Sequence, residues 1–247
     1  MAASETGIET TIANYFVLIS RCGEFGTAYD PVRDDIKLTN MTTQYNGVVT
    51  LQNAFINSNE TTKVAINSRE NLFAKMREIA VRSFCEFQSS KASKNAKKDA
   101  KGLKNKITGK YKKIKTLDNG LPDPKHVSQS QQSYDYKVKN FYTLVVLYEK
   151  DGNYATNENV LKIASMYSQI TDLENANKNV VLLNADTIEK RQVRNYALFE
   201  EENGVIDTSL ACKNYVRGLY GPKSTEAKYI CSVKLRRYLR MKKALGG

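Results

Sequence analysis

The residues most often used for catalysis or metal binding are few in this chain of 247 residues, and they stand far apart. The one histidine, His126, follows Lys125 and lacks the serine, cysteine or aspartate pattern of a catalytic triad. Adjacent carboxylates at Asp34 and Asp35 fall at a predicted helix start, where the helix dipole favours them. The glutamates at 200–202 are typical of a solvated helix end. We therefore predict that the protein is not an enzyme.

The four cysteines do not form a pattern that binds metal. Cys22, Cys85, Cys212 and Cys231 are widely spaced, whereas a structural zinc needs clustered ligands. No glycine-rich phosphate-binding motif occurs, so we expect no cofactor and no metal. Four reduced thiols are typical of the cytoplasm. We expect a cytoplasmic protein without membrane contact, because no apolar run is long enough to span a membrane and the start lacks the basic residues of a secretory signal.

Charge is the stronger signal. The formal net charge is +12, yet residues 91–115 alone hold eleven lysines and one aspartate, and residues 228–247 hold seven lysines or arginines and no acid. The remainder of the chain is mildly acidic. Lysine and arginine gain affinity for phosphate polymers by releasing condensed counterions, without reading base sequence. These two segments therefore indicate binding to a polyanion, and nucleic acid is the polymer we expect.

The predicted polyanion-binding residues are basic side chains of these two segments, together with one tyrosine in each. Tyr111 and Tyr238 lie inside the basic runs, where an aromatic ring would stack on single-stranded bases. The basic residues are Lys97, Lys98, Lys101, Lys104, Lys106, Lys110, Lys112, Lys113, Lys115, Lys234, Arg236, Arg237, Arg240, Lys242 and Lys243.

Two alternatives for the basic segments stay open. In the first, the lysines form a solvated face that only keeps the protein soluble. In the second, each basic end binds the acidic body of another copy, so that the protein is a self-assembling structural protein that forms oligomers, rings or filaments. Charge composition alone is compatible with all three interpretations.

The elements that position these segments follow from an internal repeat. Six residues recur 125 positions later in the same order: Tyr29 as Tyr154, Lys37 as Lys162, Met41 as Met166, Asn59 as Asn184, Thr62 as Thr187 and Arg69 as Arg194. Around them, core-type positions recur every three or four residues over 38–80 and 163–198, which predicts a coiled-coil-like stripe on two long helices. Duplication of one helical unit explains both the pairs and their phase.

We therefore predict an all-α fold of two tandem helical-bundle units, each built on one long amphipathic helix and related by internal duplication. The first unit spans residues 1–115 and the second spans 134–247, and each ends in a basic segment. Residues 116–133 form the linker. Pro122 and Pro124 in this linker exclude a continuous helix.

Shorter signals place the starts of the two long helices. Asp30 and Pro31 predict the first start, because aspartate is a favoured N-cap and proline is favoured at the first helical position. Thr156 and Asn157 predict the second start in the same way.

Polar residues interrupt the apolar stripe. Near Asn57 the first long helix either breaks or continues through a buried polar layer at Asn59 and Thr62. Arg69 and Arg194 also lie on the stripe. We expect each arginine to pair with an acid from another helix or to extend its charged end to the rim, in a structural role.

The chain resembles a group of uncharacterised bacterial tandem-helical repeat proteins. The likeness rests on an aromatic opening in each half, at residues 14–16 and 140–142, and on a tyrosine-containing loop before each long helix, at residues 28–31 and 153–156. It also includes residues 219–224, which precede the basic C-terminal segment. The resemblance implies an α-helical repeat protein, and it implies no activity and no site residues.

Overall fold

The computed structural model describes residues 5–109 and 132–235, and this part of the chain is all-α. Helices hold 83% of the described residues, and no strand occurs among them. That share is far above the third that is usual in globular proteins. The predicted all-α class is confirmed. No helix within the described ranges is both long and apolar enough to span a membrane.

Seven α-helices and three short 3₁₀ turns make up the described chain. The helices are α1 (Glu5–Gly23), α2 (Leu38–Ser89), α3 (Lys94–Thr108), α4 (Tyr134–Asp151), α5 (Ile163–Phe199), α6 (Val205–Tyr220) and α7 (Thr225–Cys231). The 3₁₀ turns are Gly26–Ala28, Asp34–Ile36 and Asn159–Leu161. Because α2 is 52 residues long without a break, the continuous-helix alternative near Asn57 is the correct one.

Contacts divide the chain into two compact units. Among the described residues, unit 1 comprises those up to 60 and from 185 onward, and unit 2 comprises those within 61–184. The predicted sequence units, 1–115 and 134–247, are contiguous segments, whereas each compact unit draws on both of them. The reason is that the first part of each long helix belongs to one unit and its last part belongs to the other.

The core of unit 1 forms where α1, the first part of α2, the end of α5, and α6 and α7 bury their apolar faces. Full burial of one such side chain contributes about 2 kcal/mol. The core side chains that are almost wholly buried include Ile8, Tyr15, Leu18, Met41, Leu198, Phe199, Val205 and Val216.

The core of unit 2 is richer in aromatic rings and joins the last part of α2 to α3, α4 and the first part of α5. Phe87 lies with its ring centroid 4.8 Å from that of Tyr148, and Tyr148 stacks on Tyr154 at 4.5 Å. Offset and tilted aromatic pairs of this kind add about 1 kcal/mol beyond the area they bury. Met166 and Leu173 of α5 complete the packing.

The polar layer differs from the predicted one. Asn59 is half-buried and Asn184 is exposed, so neither is the buried asparagine that the pattern suggested. In unit 1, the hydroxyl of Ser58 lies 2.8 Å from that of Thr187. In unit 2, Thr62 donates to the carbonyl oxygen of Leu183 at 3.2 Å. The buried polar residues here are the hydroxyl side chains of Ser58, Thr62 and Thr187, so the prediction is confirmed for Thr62 and wrong for Asn59.

The predicted starts of the long helices are wrong by several residues. Asp30 and Pro31 precede a 3₁₀ turn, and α2 begins only at Leu38. The backbone is redirected because the Tyr29 hydroxyl donates to the carbonyl oxygen of Ile36 at 2.8 Å and holds the loop against the core.

The start of α5 shows the same arrangement. Thr156 accepts from the backbone N–H of Glu158 in the loop before the 3₁₀ turn, and α5 begins only at Ile163. The Tyr154 hydroxyl donates to the carbonyl oxygen of Leu161 at 2.9 Å. Burial raises the pKa of Tyr154 to about 12, so the donating proton is kept further into the alkaline range than in an exposed tyrosine.

We expect Tyr29→Phe and Tyr154→Phe to lower the free energy of unfolding by about 1 kcal/mol each, because each removes one hydrogen bond and preserves the ring. The effect should be larger for Tyr29, which is more deeply buried. Urea denaturation followed by circular dichroism measures both losses. Tyr136→Phe is the matched control, since that side chain is exposed. An equal loss in the control would contradict the assignment.

Candidate functional site

The described part of the first basic segment is helix α3, which is held firmly in unit 2. Its N-terminus is capped by Ser93, whose hydroxyl accepts from the backbone N–H of Ala96 at 3.1 Å. Ala100 and Ile107 are wholly buried in the unit 2 core. Gly109 ends the helix with φ at +74°, a left-handed conformation that glycine adopts without strain. The lysines are therefore carried on a rigid element.

The six lysines of α3 divide into two groups by environment, and one aspartate accompanies them. Lys94, Lys98 and Lys101 are exposed and follow each other at intervals of four and three residues, which places them along one side of the helix. The sequence predicted two of these three, Lys98 and Lys101, as polyanion-binding residues.

The other three predicted lysines of α3 are half-buried and make contacts within unit 2. Lys97 donates from Nζ to the carbonyl oxygen of Ser90 at 2.6 Å. Lys104 lies over the ring of Phe84, with Nζ 5.1 Å from the ring centroid. Lys106 accepts at its carbonyl oxygen from the Gln132 amide at 2.8 Å. Lys97 and Lys104 are thus partly engaged in holding α3 in place.

Only Lys234 of the second predicted set is described. Its side chain is exposed, and its carbonyl oxygen accepts from Asn14 Nδ2 at 2.8 Å. Beside it, Lys213 donates to the carbonyl oxygen of Val233 at 2.5 Å, and burial lowers the pKa of Lys213. The remaining predicted residues lie outside the described ranges; they are Lys110, Tyr111, Lys112, Lys113, Lys115, Arg236, Arg237, Tyr238, Arg240, Lys242 and Lys243. His126 also lies outside these ranges.

Arg194 is the most deeply buried charged side chain of the stripe, with 1% of its surface exposed. Its guanidinium donates to Gln52 Oε1 at 3.0 Å and to Asn195 Oδ1 at 2.8 Å, and it lies 4.4 Å from the ring centroid of Phe55. Gln52 in turn donates from Nε2 to the Glu9 carboxylate at 2.6 Å. The amide of Gln52 thus joins the carboxylate of Glu9 to the guanidinium of Arg194. Of the two arrangements expected for Arg194, a charged end at the rim is wrong, because the side chain is buried.

Arg69 lies in a different environment, although it occupies the equivalent position of the repeat. It is half-buried in unit 2, and its guanidinium stacks 3.9 Å from the ring centroid of Tyr134. A cation over an aromatic face contributes about 1 kcal/mol. Its Nε is buried and has no hydrogen-bond partner.

Sequence reasoning did not identify the amide residues of the stripe as functional candidates. Gln52 and Asn177 are polar residues on an apolar stripe, 125 positions apart, and each is bonded to a carboxylate near the start of its half, Glu9 or Asp135. A polar residue repeated at a core position is the signal that would have found them.

The four cysteines are free thiols in the structure. Cys22 and Cys212 are wholly buried in unit 1 with their sulfurs 3.1 Å apart, and the Tyr29 hydroxyl oxygen lies 3.2 Å from Cys212 Sγ. Cys85 is exposed and Cys231 is half-buried. Among the described residues, no group of three histidine, cysteine, aspartate or glutamate side chains is placed to hold a metal ion.

We expect a thiol-specific reagent to modify Cys85 first and Cys231 more slowly in the folded protein. Cys22 and Cys212 should react only on unfolding, because both are buried; for Cys22, the hydrogen bond with Cys212 also raises the pKa. Mass spectrometry of labelled peptides measures the order of reaction. Four reactive thiols in denaturant without reductant are the control. Rapid labelling of Cys22 in the folded state would contradict the packing.

We expect Arg194→Met to lower the free energy of unfolding by about 2 kcal/mol, since it leaves the buried Gln52 oxygen without its charged donor. Methionine keeps most of the volume, so a cavity contributes little. Arg191→Met is the matched control, because Arg191 also lies over Phe55 but is exposed. Denaturant titration should show almost no loss for the control, and equal losses would contradict the role of the buried hydrogen bond.

Comparisons with known proteins identify no relative of this chain. No protein-family model matches it. Neither a curated protein nor a solved structure matches it. The resemblance to bacterial tandem-helical repeat proteins therefore stays a prediction.

Proposed function

We propose that this chain is a non-enzymatic binding or scaffold protein that engages an anionic polymer, namely nucleic acid, through its basic segments. The observation that carries the proposal is the row of exposed lysines on α3. Lys94, Lys98 and Lys101 lie on one side of a helix whose opposite side, with Ala100 and Ile107, is buried. A rigid basic row of this kind is suited to a regular line of phosphates.

The mode of binding that this row supports is contact with the backbone of the polymer. Lysine is a flexible point charge with no bidentate geometry, so it neutralises phosphates without selecting a base. Asp99 is the one acidic residue of α3 and leaves the helix strongly positive. Affinity should therefore depend on salt and vary little with base sequence.

We also propose that the two halves of the chain arose by duplication. Local geometry supports this at several equivalent positions. The hydroxyls of Tyr29 and Tyr154 donate to carbonyl oxygens seven residues later, at 2.8 and 2.9 Å. A 3₁₀ turn, Asp34–Ile36 or Asn159–Leu161, follows each tyrosine and precedes each long helix. Met41 and Met166 are both wholly buried. Under this proposal the basic segment is also a repeated feature, which favours a shared role for both ends.

We expect Lys98→Gln with Lys101→Gln to weaken binding to a fluorescent single-stranded oligonucleotide, and to do so equally for different base sequences. Fluorescence anisotropy at several salt concentrations measures the effect. The slope of log affinity against log salt should become shallower by about 2, since each lost phosphate contact removes about one unit.

The matched control for this change is Lys75→Gln with Lys162→Gln, which removes the same charge from exposed positions outside α3. An equal loss in the control would show that only net charge matters. Light scattering on the same variants tests the self-association alternative. Dissociation of an oligomer by the α3 changes, without an effect on nucleic-acid binding, would contradict the proposed function.

A further inference from the structure

A groove opens in unit 2 between α4 and α5. Its volume is about 830 Å³, which lies within the range of small-molecule sites. Most of its wall is apolar, with contributions from Val138, Tyr142, Val181 and Leu182. The last two side chains are unusually exposed for their type, at 65% and 69%. Groups that are apolar and exposed lose unfavourable contact with water when a ligand covers them.

One polar side chain of the groove is left with an unused hydrogen-bonding atom. Asn177 is about nine-tenths buried and donates from Nδ2 to Asp135 Oδ1 at 3.0 Å. Its own oxygen, Oδ1, is buried and has no hydrogen-bond partner. The orientation of the amide is fixed by the carboxylate, because exchanging the two amide atoms would place two oxygens in contact. Leaving a buried acceptor unsatisfied is unfavourable, so a ligand donor that reaches it is stabilised by the new hydrogen bond.

Unit 1 shows which kind of donor forms a hydrogen bond to the oxygen of such an amide. There the equivalent pair is Gln52 and Glu9, and the amide oxygen of Gln52 accepts from the guanidinium of Arg194 at 3.0 Å. The Phe55 ring lies beside that guanidinium. A buried amide that donates to a carboxylate and accepts from a cation is therefore a guanidinium receptor already used within this chain.

In unit 2, the oxygen of Asn177 receives no hydrogen bond from an arginine. Arg69 is the equivalent arginine, but its guanidinium is stacked on Tyr134. Two differences between the units accompany this. Val180 stands where unit 1 has Phe55, so the ring that would hold the guanidinium near the amide is missing, while an aromatic ring is present instead at Tyr134. Asn177 is also one methylene shorter than glutamine, so its oxygen reaches less far.

We propose that the groove between α4 and α5 binds a small molecule with a guanidinium or protonated amine on an apolar body. The cationic group donates to Asn177 Oδ1 and lies beside the Asp135 carboxylate, in the role that Arg194 has in unit 1. The apolar body covers Val181 and Leu182. Because Asn177 Oδ1 is shielded from solvent, side chains of the groove must move to admit the ligand.

The charges around the groove set its selectivity. Asp135 and Glu174 are balanced by Lys139 and Lys178, so the lining has no net charge and no general attraction for cations. Discrimination therefore depends on the local acceptor pair of Asn177 and Asp135. A neutral alcohol of the same shape would make the apolar contacts and only one uncharged hydrogen bond, which is about half as strong as a charged one.

The test uses the purified full chain and four probes with the same 4-phenylbutyl body and different head groups: guanidine, primary amine, alcohol and carboxylate. Isothermal titration calorimetry measures affinity, and the amide region of the ¹H–¹⁵N NMR spectrum reports contact with Asn177. We expect the guanidine and the amine to bind at least about tenfold more tightly than the alcohol, because one charged hydrogen bond is worth about 1.5 kcal/mol or more. The carboxylate should bind most weakly.

Variants separate the receptor from a generally apolar surface. Asn177→Leu should lower affinity for the guanidine probe by about tenfold and remove its advantage over the alcohol. Asn179→Leu is the matched control on the same helix, since Asn179 is exposed and does not line the groove, and it should leave affinity unchanged. A circular dichroism melt of each variant establishes that it is folded.

Three outcomes would overturn the proposal. The first is equal binding of all four head groups, which would mark an apolar surface without a receptor. The second is unchanged guanidine affinity in folded Asn177→Leu protein, or no saturable binding at about 1 mM probe. The third is a dimer that dissociates when Leu182 is changed to Glu, which would mean that a second copy covers the groove. None of these outcomes affects nucleic-acid binding by α3, so the two proposals fail independently.

Discussion

Hydrogen bonding of the polar side chains buried along α2 and α5 is the constraint on which the structure depends. Each long helix must bury an apolar stripe, yet its stripe includes amides, hydroxyls and arginines whose burial without partners costs several kcal/mol. Unit 1 satisfies this constraint through the chain of contacts from Glu9 to Gln52 to Arg194. The polar side chains therefore fix which helices meet and in what register, while the apolar residues supply most of the free energy.

Unit 2 satisfies the same constraint less completely. Among the described residues, the buried side-chain atoms without partners are Arg69 Nε, Gln169 Oε1 and Asn177 Oδ1, and all of them belong to unit 2. The case of Gln169 parallels that of Asn177. In unit 1 the equivalent Gln44 accepts from the Tyr15 hydroxyl, whereas Phe141 stands in that place in unit 2 and has no hydroxyl. Unit 1 supplies donors to these amides from Tyr15 and Arg194, and unit 2 supplies none to Gln169 Oε1 or Asn177 Oδ1.

The sequence predicted the helices well because a stripe repeated every three or four residues has one structural solution. Helix ends were harder to place, since Asp30 and Pro31 resemble a cap locally but the Tyr29 hydroxyl redirects the backbone to Ile36. The compact units were not foreseen either. A stripe shows which face of α2 is buried, and it does not show which helix covers it. The unsatisfied oxygen of Asn177 depends on where the Arg69 guanidinium stacks, and no pattern of sequence encodes that choice directly.

The two units differ in whether an arginine bonds to the buried amide, and this difference explains why the proposed ligand site lies in unit 2. On the proposed duplication, the two halves carry an amide, a carboxylate and an arginine at matching positions, whereas Phe55 corresponds to Val180 and Ile8 corresponds to Tyr134, on which the Arg69 guanidinium stacks. The amide and carboxylate stayed together, as the contact of Asn177 with Asp135 shows. The proposed receptor in unit 2 is therefore complementary to the group that occupies the matching position in unit 1, the guanidinium of Arg194. Its proposed specificity for a guanidinium or a protonated amine therefore follows from the interaction that stabilises the other unit, where Gln52 accepts a hydrogen bond from Arg194.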